Sequence, residues 1–131
     1  MSYEWKEHTG ELELQIQAPT EEAVFEEALQ ALEELLGDEA SEELVSREVA
    51  VKAEDRGALL AQWIEELVYL AETDDLLPTR VTAISFTTDG LIATVNTRLA
   101  KPRHLVKAAT YHRLEFEPSD GGYCATVVLD V

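Results

Sequence analysis

The sequence predicts an α+β fold: a two-layer sandwich with two helices packed on one face of a mixed, mostly antiparallel sheet of about six strands. Three observations predict it. Residues 21–36 and about 57–72 carry apolar side chains at helical spacing. Several shorter stretches alternate apolar with polar. Asp89-Gly90, set between two such stretches, marks a hairpin.

Taken in order, "ELELQIQA" (11–18) is a half-buried strand, with Leu12, Leu14, Ile16 and Ala18 facing inward and Glu13, Gln15 and Gln17 opposite. Pro19 ends it. Thr20 can cap the first helix, whose opening turn carries Glu21 and Glu22 at the positive end of the helix dipole. Its buried stripe is Val24, Phe25, Ala28, Leu29, Leu32, Leu35 and Leu36, its other face is almost all glutamate, and Gly37 is its expected C-cap. After the turn-like "DEASEEL", residues 47–53 form a strand with Val49, Val51 and Ala53 inward. Asp55 can cap the second helix, which buries Leu59, Leu60, Trp63, Ile64, Leu67, Val68 and Ala71. A hairpin follows, "RVTAISFTT" and "LIATVNTRL". A loop around Lys101-Pro102-Arg103, a strand over about 106–117, the turn "PSDGG" and a last strand over 123–131 complete the chain. Strands follow one another in hairpins more often than they alternate with helices, which points away from a parallel sheet.

A chain of 131 residues suits one domain, 1–131, with no linker or repeat dividing it. It is 46% hydrophobic and 28% charged, a globular balance. No run of about 18 apolar residues is present to span a membrane, and "MSYEWKEH" lacks the apolar core of a secretory signal. The single cysteine, Cys124, cannot close an internal disulfide, and a reducing cytoplasm is the expected compartment.

Charge narrows the function. A net −17 repels phosphate backbones and argues against direct nucleic-acid binding. The distribution is uneven: 17 of the 27 acids lie in residues 1–55, whereas residues 98–113 hold five of the ten Lys and Arg, two of the three His and no acid. That basic segment is either a solvated loop and strand or a docking edge for an acidic surface or a phosphate. Neither a dinucleotide or phosphate-binding glycine loop, nor a nucleophile elbow, nor a Cys-x-x-Cys pair occurs. One cysteine with His8, His104 and His112 far apart supports neither a zinc cage nor a thiol protease, and adjacent His8-Thr9 reads better as a turn than as a nucleophile–base pair.

The acids are the better lead. Glu7, Glu11 and Glu13 lie near the start of the 11–18 strand, and Asp130 with the Val131 carboxylate ends the last strand. Were those strands antiparallel neighbours, the acids would crowd one spot, at a cost that a hard divalent cation relieves. A solvated acidic face is the plain alternative.

Several stretches together resemble the archease family. "EHTGELEL" is similar to its Asp-His-Thr-Ala-Asp signature and first strand, "EEAVFEEALQALEELL" to the helix that follows, and "ALLAQWIEELVYLAETDD" to the second helix. "VKAATYHRLEF" resembles the family's Val-Lys-Ala-hydrophobic-Thr-Tyr-His stretch, and "YCATVVLDV" its aliphatic-Asp-Ile/Val terminus. The likeness runs through the whole chain in order. It implies an α+β sandwich built around a strand-helix-strand-strand unit, and an accessory protein rather than an enzyme. Archeases activate the RtcB-type RNA ligase of tRNA splicing and RNA repair, promoting guanylylation of the ligase's histidine and hence multiple turnover. By the resemblance, the metal ligands are Glu11, Asp130 and Val131, for Ca²⁺ or else Mg²⁺ or Mn²⁺. Glu7, His8, Thr9, Lys107, Tyr111 and His112 become signature or partner-contact candidates, with Arg113 beside them. Both signature aspartates are glutamates here and Gly10 replaces the usual Ala; each glutamate keeps its charge and oxygens but reaches roughly 1.5 Å further. The competing expectations are a small metal-dependent hydrolase, with His8 or His112 moving protons, and an adaptor for another RNA-modifying enzyme such as a tRNA methyltransferase.

Overall fold

The computed structural model describes residues 1–37, 40–102 and 106–131. Asp38 and Glu39 of the turn after the first helix, and Arg103 and His104 of the basic segment, lie outside the described residues.

The elements run β1 (Ser2–His8), β2 (Glu11–Ala18), α1 (Glu21–Leu36), β3 (Leu44–Lys52), α2 (Arg56–Asp74), β4 (Leu76–Phe86), β5 (Gly90–Leu99), β6 (Ala108–Ser119) and β7 (Gly122–Asp130). The class is α+β, as expected. Where the sequence suggested about six strands in one mixed sheet, the described residues form seven in two sheets, ordered β1-β2-β7-β6 and β3-β5-β4, with every pairing antiparallel. The additional strand is β1, which pairs along its whole length with β2. Its inward side is only half-buried at Tyr3 and Trp5, and Glu4, Lys6, Glu7 and His8 are exposed, so its alternation is faint.

Both helices begin as their sequences dictate. Thr20 Oγ1 accepts from the Ala23 N–H at 3.1 Å, and Asp55 Oδ1 from the Ala58 N–H at 2.8 Å. Gly37 closes α1 by donating to the Glu33 carbonyl at 2.7 Å, in extended rather than left-handed backbone. Both helices also touch both sheets: α1 packs on β4, β2, β7 and β1, and α2 on β6, β4, β3 and β7. The stripe each helix buries is therefore wide, and Ala31 of α1 and Leu70 of α2 join the expected core residues. At the centre Phe25 meets Trp63 of α2 edge-on, Phe86 of β4 and Phe116 of β6, with ring centroids 6.2, 5.6 and 6.0 Å away. The Trp63 indole N–H donates to the Phe25 carbonyl at 3.0 Å, so the largest buried side chain is also hydrogen-bonded.

Candidate functional site: an acidic tip where β2 begins and β7 ends

Two tight turns set the geometry. β1 and β2 are joined by Thr9-Gly10, with Gly10 at φ +72°, a region that suits glycine. β6 and β7 are joined by Asp120-Gly121, both at positive φ as a two-residue hairpin of the I′ type requires. These hairpins bring β2 and β7 side by side, with Glu11 directly opposite Asp130. The Val131 N–H donates to the Gly10 carbonyl at 3.2 Å, and the Lys107 N–H donates to the Asp130 carbonyl at 2.8 Å. Backbone hydrogen bonds thus hold the end of β7 from both sides.

Residues opposite one another in a ladder share a face. His8, Glu11 and Asp130 therefore lie on the outer face of the four-stranded sheet, with Glu13 two positions along β2. Glu7 pairs with Leu12 and faces the other way. At this end of the sheet an open cleft of about 640 Å³ is lined by Trp5, Glu7, His8, Glu11, Leu12, Glu34, Leu35 and Val131. Nearby on that side the Tyr3 hydroxyl donates to Glu34 Oε2; burial, then that carboxylate, pushes the Tyr3 pKa up to about 12.

The outer face carries a charge network that spacing did not disclose. β6 bulges between Thr110, opposite Val128, and Glu115, opposite Thr126, so several residues of β6 stand against one of β7. Within the bulge Arg113 adopts φ +57° and reaches past β7 to β2, placing Nη2 3.5 Å from Glu11 Oε1 and Nη1 3.6 Å from Glu13 Oε1. Glu13, with its side chain 10% exposed, also accepts from Gln15 Nε2 at 2.8 Å and lies 4.0 Å from His8 Nε2. Val128 is fully buried although it lies on this outer face.

The structure thus gathers Glu7, His8, Thr9, Glu11, Asp130 and Val131 at one end of the sheet, with Lys107 beside them through its backbone. The six contact candidates are all exposed, Tyr111 the most prominent apolar one at 61%. Tyr111 turns toward α2, where its hydroxyl accepts from Gln62 Nε2 at 3.3 Å. Arg113, expected to meet a partner or phosphate, is engaged within the chain. Trp5, Glu34 and Leu35 were not singled out from sequence; the weak alternation of Tyr3 and Trp5 was the available signal. Among the described residues no three His, Cys, Asp or Glu side chains are gathered as a metal cage. The available oxygen set is Glu11, Asp130 and the Val131 carboxylate, whose hard donors fit a divalent cation in chemistry.

Three comparisons bear on this arrangement. The model of the Archease protein family matches residues 3–131. Protein archease of Methanosarcina barkeri is 31% identical, covering 98% of this chain and 95% of that one, and protein archease of Methanothermobacter thermautotrophicus is 35% identical, covering 84% of each. A solution structure of a Methanobacterium thermoautotrophicum protein superposes with a TM-score of 0.74 at 30% identity, covering 99% of both chains. A crystal structure of an archease, possible chaperone, from Thermotoga maritima superposes at 0.71 with 24% identity, over 96% of this chain and 94% of the other, a likeness of fold.

Proposed function

This chain belongs to the archease family, and on that premise we propose that it is an accessory protein activating an RtcB-type RNA ligase in tRNA splicing or RNA repair. It promotes guanylylation of the ligase and so its multiple turnover, and is not itself an enzyme. The description of the Thermotoga maritima archease as a possible chaperone suits such a role. One observation carries the reading: Glu11 and Asp130, from near opposite ends of the chain, stand opposite one another at a tip held by the Val131-to-Gly10 hydrogen bond. Glu11, Asp130 and the Val131 carboxylate would hold Ca²⁺, or else Mg²⁺ or Mn²⁺, which when bound supplies positive charge to hard carboxylate oxygens. Glu7, His8 and Thr9 beside the tip, and Lys107, Tyr111 and His112 on the β6 side, are exposed to a protein surface. A body of net −17 favours a basic, RNA-binding partner over RNA itself.

The test is a ligation assay with limiting cognate ligase. The wild-type chain should convert single-turnover sealing into repeated turnover, and a Glu11→Ala, Asp130→Ala double variant with unchanged circular dichroism should not. Full stimulation by that variant would overturn the proposal. A metal-dependent hydrolase remains the second reading because the cleft beside Glu11 is concave and open. Turnover of phosphodiester substrates by this chain without a ligase would favour it.

A further inference from the structure

Arg113 is the positive charge set against Glu11. Its backbone adopts φ +57°, a conformation that favours glycine or asparagine, in a bulge that lets its side chain cross β7. The guanidinium is divided between Glu11 and Glu13, at 3.5 and 3.6 Å. Glu13 has other partners, Gln15 at 2.8 Å and His8 at 4.0 Å. Arg113 is the ion-pair partner of Glu11 among the described residues. With its side chain 41% exposed, Arg113 can leave for water at little cost, since pairs of this kind are weak.

We propose that Arg113 is a built-in competitor for the Glu11–Asp130 site, so that a divalent cation takes Glu11 only as the guanidinium releases it. The inference rests on the cation reading above and adds its control: the side chain sets how tightly the tip binds. Because the guanidinium must be released first, the cation's binding is weakened by what the exposed pair was worth, and removing the arginine strengthens it severalfold, up to about fivefold.

The experiment is calorimetric titration of the full chain with CaCl₂, and separately MnCl₂, at low ionic strength. The proteins are wild type, Arg113→Gly, Arg113→Asn and Arg113→Lys, with circular dichroism and melting as checks on the fold. Glycine and asparagine both suit the left-handed backbone, so two independent variants test the same loss of charge. Expected are severalfold tighter binding, up to about fivefold, by Arg113→Gly and Arg113→Asn, near wild-type affinity for Arg113→Lys, and loss of the gain when Glu11→Gln is added. Equal affinity in wild type and Arg113→Gly, with binding still lost in Asp130→Asn, would overturn the competition and leave the cation reading standing. A gain that survives Glu11→Gln would overturn it too. Absence of binding in every variant would overturn both.

Discussion

Replacing Gly10 by alanine isolates what the β1–β2 turn contributes. The residue sits at φ +72°, and a Cβ built on it meets no heavy atom within 4 Å. Only the backbone conformation therefore opposes the substitution. Forcing an L-residue into the left-handed region costs roughly 1–2 kcal/mol, while the stiffer unfolded chain returns about 0.5 kcal/mol. The net loss is about 1 kcal/mol, which lowers Tm by about 4 °C for a chain of 131 residues. Gly121, at φ +79° and equally unobstructed, provides a twin at the far end of the same sheet. Urea titration and thermal melting should show Gly10→Ala and Gly121→Ala losing similar amounts, with unchanged urea m-values, and Gly10→Asn recovering much of the loss. A loss above about 3 kcal/mol for Gly10→Ala, or none, would refute the claim that conformation alone is at stake there.

Trp63→Phe removes an indole N–H bonded at 3.0 Å inside the core together with part of a fully buried ring, so stability should fall by about 2–3 kcal/mol and Tm by roughly 10 °C. Tyr3 should titrate at about 12 rather than the ordinary 10, read as the phenolate absorbance lost in Tyr3→Phe. Glu34→Gln should lower that value only partway, because burial is the larger cause. A raised pKa means that the folded chain holds this proton more tightly, so Tyr3 contributes stability that is complete below pH 10 and lost as pH rises toward about 12. Melting curves across that window check the sign.

Much of the fold was legible because local chemistry and tertiary packing agree. The helix at 21–36 announced itself through Thr20, Glu21, Glu22 and an apolar stripe, and the structure has it over those residues. The Asp89-Gly90 signal marked the β4–β5 hairpin for the same kind of reason. Division into two sheets was not legible, because Phe25 touching both Phe86 and Phe116 is a matter of packing between distant segments. Strand β1 escaped because an edge strand with half-exposed Tyr3 and Trp5 alternates weakly. The meeting of Glu11 with Asp130 could be posed from spacing as a condition on strand order, and the register meets that condition. Arg113 could not be read that way: its reach to Glu11 depends on a bulge, which hydrophobic alternation does not encode.

The strand order β1-β2-β7-β6 also carries a kinetic consequence. β2 is paired on one side by β1 but waits for β7 on the other, with Glu11 of β2 meeting Asp130 of β7. The β1–β2 hairpin and α1 can form early, yet the centre of that sheet closes only after β7 has been made. Pairings so distant along the chain are slow to find, and until then the inner edge of β2 stays open to other strands. Nascent chains stalled before residue 122 should therefore be protease-sensitive through β2, and protection there should arrive together with completion of the acidic tip.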